Sequence, residues 1–172
     1  MKHPLHKLLS VVIITSTLFI TGCLNSPSPG ECNRSIDLSY ADQNKLDSQL
    51  SAIDDYLTEH EISAQTHQES GLRYVINEAG TGTAPTICDK IAVKYTGKLM
   101  ENNDVFDRSD KPISFILGNL IPGWQVGIPL VKPGGSITLY IPGEYAYGSR
   151  GAGDDIPADA NLIFEIELVA AQ

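Results

Sequence analysis

Read from Leu120 to Val131, the stretch LIPGWQVGIPLV breaks a pattern that holds on both sides of it. Its neighbours alternate apolar and polar residues. Here Trp124, Ile128 and Val131 are spaced four and three apart, a helical interval. Pro129 and Gly127 limit that helix, because a Pro in a helix interior loses a hydrogen bond and clashes with the preceding turn. The reading is a helix of at most two turns crossing a sheet. Trp124 is the chain's single tryptophan and follows Pro122-Gly123 directly. It is either a large core residue, the usual fate of a lone Trp, or the floor of a cavity.

Around this stretch the period is two. Leu72, Tyr74 and Ile76 alternate with Arg73, Val75 and Asn77. Ile91, Val93 and Tyr95 form a second run, and Ile113, Phe115 and Leu117 a third. Ile137, Leu139 and Ile141 follow, then Leu162, Phe164, Ile166 and Leu168 against Ile163, Glu165 and Glu167. Glu165 and Glu167 are expected to face water without a charge partner. Gly and Pro mark the joints at residues 80–85, 133–135, 142–143 and 148–157. The fold class is α+β: a mostly antiparallel sheet of about five strands with one buried face, covered by one short helix.

Ahead of the sheet, Leu46, Leu50, Ile53 and Leu57 fall on one helical face. Ser39 is the expected N-cap, with Asp42 in the first turn. The apolar stripe must pack either on the following domain or on a second copy, so a homodimer through this helix is one of two options. Residues 25–30 (NSPSPG) have linker composition.

At the N-terminus, Lys2 and Lys7 precede an apolar run from Leu8 to Ile20, too short for a comfortable membrane span. It ends in Ile20-Thr21-Gly22-Cys23, which resembles the bacterial lipobox. The resemblance implies cleavage before Cys23 and lipidation of that residue; an ordinary signal peptide or an uncleaved anchor helix are the alternatives. Losing Lys2 and Lys7 takes the net charge from −9 to −11. Leu24, where an Asp would signal inner-membrane retention in enterobacteria, favours the outer membrane. Cys32 and Cys88 remain. In an oxidising compartment an even pair reads as a disulfide; two buried free thiols are the alternative. The expected division is a signal over residues 1–22, a lipidated linker over 23–36, a helical extension over 37–68 and the main domain over 69–172.

The acidic charge disfavours nucleic acid as a partner. The sequence has no CxxC pair, no HExxH and no glycine-rich phosphate loop. His60 and His67 flank the helix, and His3 and His6 lie in the signal. No metal and no cofactor are expected. Any chemistry has to come from a pocket.

Five blocks give that pocket a family. Val93-Lys-Tyr-Thr-Gly97, Val105-Phe-Asp-Arg-Ser109, Leu120-Ile-Pro-Gly-Trp124, Tyr145-Ala-Tyr-Gly148 and Asn161-Leu-Ile-Phe-Glu165 occur in that order. Together they resemble the FKBP-type peptidyl-prolyl cis-trans isomerases over about residues 70 to 170. The resemblance implies a curved sheet wrapped over the short helix, with an apolar pocket between them. It implies Trp124 as the floor, and Tyr95, Phe106 and Phe164 as walls. Leu120 and Ile121 would stand at the entrance, with the Ile121 N–H and the Tyr147 hydroxyl donating to substrate carbonyls. Asp107 would sit near Tyr95, and Ile156 would reach over from the last loop. The implied activity is rotation of X-Pro bonds in exported polypeptides, at the bacterial envelope on the periplasmic side of the membrane.

Departures from the family pattern are visible too. Ile113 stands where many members have an aromatic wall. Arg108 comes too early to match the Arg that pairs with the pocket Asp elsewhere. Asp154-Asp155-Ile156-Pro157 puts two acids toward the rim, with Ala158 where a second Pro is common. A membrane-anchored chaperone with little turnover and a docking platform are the competing functions.

Overall fold

The alternating segments pair into one antiparallel sheet of six strands in the computed structural model, which describes residues 32–172. The strands are β1 (Gln65–Thr66), β2 (Arg73–Glu78), β3 (Lys90–Leu99), β4 (Val105–Ile116), β5 (Gly135–Ile141) and β6 (Leu162–Ala171). Their spatial order is β1-β2-β5-β6-β3-β4. The extra strand relative to the expected five is the two-residue β1, too short to show a period. The signal, the linker at 25–30 and Cys23 lie outside the described residues.

Leu139, Ile141, Leu162, Phe164, Ile166 and Leu168 fill the main core together with Trp124, Ile128 and Val131. These last three sit on α2 (Pro122–Gly127) and on the 3₁₀ turn and residue that follow it. Pro122 opens the helix at a position where its missing N–H costs nothing. Pro129 then tightens the chain into the 3₁₀ turn Ile128–Leu130. Gly123 and Gly127 face β5: a Cβ on either would come within 2.4–2.5 Å of the Ile141 or Leu139 side chain. The glycine at 127 is therefore what lets the helix lie close on the sheet.

The opposite sheet face is not left to water. On β5 and β6 the alternation lapses at Tyr140 and Ile163, which pair directly across the strands and are both buried. They are covered by α1 (Gln43–Glu59), whose Ile53 and Leu57 join them and Met100 in a second cluster. The stripe is thus consumed inside the chain, and the surface that a homodimer through this helix would have used is already covered. Residues Cys32–Gln172, α1 included, form one compact unit.

The cap of α1 also differs from expectation. Asp42 is the N-cap and accepts from the Asn44 and Lys45 N–H groups at 3.0 and 3.1 Å. Ser39 instead donates to Asp37 from its backbone and its hydroxyl. Glu167 and Glu165, expected without partners, bond across the strand pair to Lys94 and Lys98 at 2.9 and 2.7 Å. Cys32 and Cys88 are joined by a disulfide with Cα atoms 5.6 Å apart.

Candidate functional site

Two irregularities in the β3–β4 pairing shape the site. Gly97 pairs with Asp107 while Lys98 pairs with Val105, so Phe106 is an extra residue on β4. Such a bulge re-aims side chains, and here it lets adjacent Phe106 and Asp107 both line one cavity. Farther along, Val93 pairs with Ile113 and Tyr95 with Ser109, so Asp110, Lys111 and Pro112 oppose Lys94 alone. Pro112 is tolerated because β4 is an edge strand.

The cavity holds about 170 Å³. Trp124, 4% exposed, belongs to the core and also floors this cavity. Three rings stand edge-on to the indole: Tyr95 at 5.2 Å and 80°, Phe164 at 5.2 Å and 89°, and Phe115 at 6.3 Å and 86°. Phe106 meets Phe164 at 5.5 Å and 83°. Edge-to-face contacts suit the ring quadrupoles, and upright rings cannot fold down to close the space. Gly97 makes this possible, since a Cβ there would meet the Phe106 and Phe164 rings at 2.6–2.8 Å. A cavity of roughly 150 Å³ accepts benzene, so the cup suits one small apolar ring. The Trp124 Nε1 is buried without a partner, alone in this among the described side chains.

Polar groups sit at the rim. The Tyr95 hydroxyl donates to Asp107 Oδ2 at 2.6 Å, a charge-assisted length. Burial, then this bond, pushes the Tyr95 phenol up from its ordinary value. Burial also raises the Tyr147 phenol, with Asp107 adding to it. Tyr147 lines the cavity at 37% exposure and makes no protein hydrogen bond among the described residues. Arg108 bonds Asp110 instead of Asp107. Leu120 and Ile121 form the lip. The Ile121 carbonyl accepts from Trp124 and Gln125, while its N–H has no partner among the described hydrogen bonds. The same peptide unit is held from its other end, where Gln125 Nε2 donates to the Leu120 carbonyl at 2.7 Å.

Eight of the nine anticipated pocket residues therefore meet in one cavity; Ile156 does not. It is 6% exposed and packs into the main core, turned in by the tight loop that its backbone bridge to Ala152 closes. Asp154 and Asp155 are exposed on that loop and line no part of the cup. Phe115 is the wall missing from the expected set. Ile113, which directly follows the irregularity at Asp110–Pro112, is 41% exposed and lines no part of the cavity. The period-two run containing Phe115 held that signal. A larger depression of about 300 Å³ is lined mainly by charged and polar residues such as Lys94, Asp110 and Glu165, which suits no apolar ring.

Residues 82–169 match the family described as FKBP-type peptidyl-prolyl cis-trans isomerase. A probable FKBP-type peptidyl-prolyl cis-trans isomerase FkpA from Neisseria meningitidis is 45% identical over 103 residues, covering 58% of this chain and 38% of that protein. The FKBP-type 22 kDa isomerase of Escherichia coli is 42% identical over 104 residues, covering 59% of this chain and 50% of that protein. Among solved structures, FkpA from Escherichia coli superposes with a TM-score of 0.64 at 34% identity, over 76% of this chain and 62% of that one. A peptidyl-prolyl cis-trans isomerase from Pseudomonas syringae gives 0.63 at 30% identity, over 73% of this chain and 95% of that one. This chain belongs to the FKBP-type peptidyl-prolyl cis-trans isomerase family. It spans about half or less of the length of these curated relatives.

Proposed function

We propose that this chain is a peptidyl-prolyl cis-trans isomerase acting on exported polypeptides. The observation that supports this most is an apolar cup sized for one ring, with unengaged donors at its rim. Rotating an X-Pro bond breaks amide resonance, at a barrier of roughly 18–20 kcal/mol, and takes tens to hundreds of seconds unaided. The twisted amide is less delocalised and carries less charge on its oxygen than the planar one. A cup of Trp124, Tyr95, Phe115 and Phe164 favours the twisted form over the planar ground state. That is differential binding. The proline ring rests on Trp124, the Ile121 N–H takes one substrate carbonyl, and the Tyr147 hydroxyl takes another. Asp107, held by Tyr95, supplies a fixed negative charge beside the rotating bond. No proton changes hands, so no nucleophile or base is required.

The N-terminal sequence supports attachment to the bacterial outer membrane through a lipid on Cys23, with the stretch between Cys23 and the disulfide-tied Cys32 as spacer. Two or more acyl chains anchor stably where one binds reversibly. Incorporation of a labelled fatty acid that disappears in Cys23→Ser would support this; equal labelling would refute it.

The activity is tested by cis-trans exchange of a Leu-Pro peptide, followed by NMR. Faster exchange with the protein present supports the isomerase. Shifted peptide resonances at an unchanged exchange rate would make it a binding module instead.

A further inference from the structure

Beside the cup lies a second cavity of about 480 Å³, reached across Tyr147, which lines both. Its other walls include Tyr40, Glu144 and Arg150. Tyr40 comes from the segment ahead of α1 and is 55% exposed. That segment is fixed on the domain. Leu38 and Ala41 pack on the main core, and the Asp42 N–H donates to Glu144 Oε2 at 2.9 Å. The Glu144 N–H in turn donates to Gln49 Oε1 at 3.0 Å. Tyr40 is therefore presented to solvent by an anchored turn.

The two charges in this cavity are not equivalent. Glu144 is bound at the N-cap of α1, where the helix end carries positive potential. Arg150 ends the 3₁₀ turn Gly148–Arg150 and has no carboxylate partner among the described residues. Asp154 and Asp155 line neither cavity. Among the described residues, the cavity's one cation is this guanidinium, next to an exposed phenol ring that Glu144 and Asp37 also face.

We propose that this cavity is a flanking subsite, which holds the substrate chain beyond the residues next to the proline and selects a carboxylate side chain there. It rests on the isomerase reading of the cup. A chain leaving the cup past Tyr147 enters this cavity directly. Its acidic side chain meets Arg150, a planar donor suited to carboxylates, and its aliphatic stem lies on Tyr40. The N-terminal segment thereby takes part in substrate choice.

The test compares a blocked Leu-Pro tetrapeptide with peptides extended on either side by Glu, Gln or Lys, using the full chain. The expected result is a KM about two- to five-fold lower for Glu than for Lys extensions on one side of the proline. Arg150→Gln removes this difference and Arg150→Glu reverses it. Tyr40→Ala raises KM for the extended peptides by about three- to ten-fold. The tetrapeptide is turned over unchanged by all three variants. A Glu preference that survives in Arg150→Gln, or no preference in the wild type, overturns the subsite while tetrapeptide turnover leaves the isomerase standing. If the wild type fails to accelerate even the tetrapeptide, the isomerase reading falls. The subsite is then decided by NMR titration of the extended peptides. Arg150-dependent tighter binding of Glu peptides retains it, and equal binding rejects it.

Discussion

The two faces of the sheet are covered by helices of opposite character. On the α1 face, Ile53 and Leu57 settle onto Tyr140 and Ile163, and aliphatic side chains close the space between them. On the α2 face, glycines bring the helix down onto β5, yet a cavity persists at its N-terminal end. Aliphatic chains choose among several rotamers and fill a gap. Rings held edge-on against one indole have no such freedom. Both faces therefore bury core, and the α2 face also keeps a vacancy. That difference is set by residue type, since both faces belong to the same strands.

This contrast breaks most visibly at Ile53 of α1, which is fully buried against the sheet. Ile53→Ala is expected to cost about 2–5 kcal/mol in a urea titration, with isomerase activity per folded molecule unchanged. Activity falling in step with stability would mean that the faces are coupled. On the other side, Gly97→Ala forces the Phe106 and Phe164 rings apart from positions they cannot easily leave. Overpacking of this kind costs about 1–3 kcal/mol, and here exchange activity should fall at least tenfold. Retained activity would show that the cup tolerates repacking.

Gln125→Leu sharpens the comparison more gently. It frees the Leu120 carbonyl and loosens the peptide that carries the Ile121 N–H. Losing one such bond is worth about 0.5–1.5 kcal/mol, so exchange should slow by roughly two- to tenfold with little change in melting. An effect on melting alone would assign Gln125 to stability.

The smallest effect concerns pH. Tyr95 and Tyr147 both have phenols raised above their ordinary value by burial. A raised value means that the folded state holds its proton more tightly than the unfolded chain does. Their contribution is complete below about pH 10 and is lost as pH rises through the folded values. The exchange rate should be flat between about pH 6 and 9, and stability should begin to fall only above about pH 10. A bell-shaped rate profile near neutrality would point to proton transfer.

Much of this was legible in the sequence. The break at Leu120–Val131 marked the short helix, and period two marked part of every strand but β1, missing the Val105–Pro112 half of β4. The cup residues were named by five blocks in family order. What escaped reading were events that a period cannot express. Ile113, just past the irregularity at Asp110–Pro112, is exposed, and Phe115 two residues on is the wall. The bridge between Ala152 and Ile156 turns Ile156 into the core. The fate of the α1 stripe depended on Tyr140 and Ile163, which alternation alone assigns to solvent. Gln125 was silent because its hydrogen bond runs back to the loop before its own helix.

The most direct measurement is cis-trans exchange of a Leu-Pro peptide with the wild type and with the Asp107→Ala, Tyr147→Phe double variant, both shown by melting to be folded. The account predicts acceleration by the wild type and its loss in the variant. Equal acceleration by both would place the chemistry somewhere other than the cup and contradict the central claim.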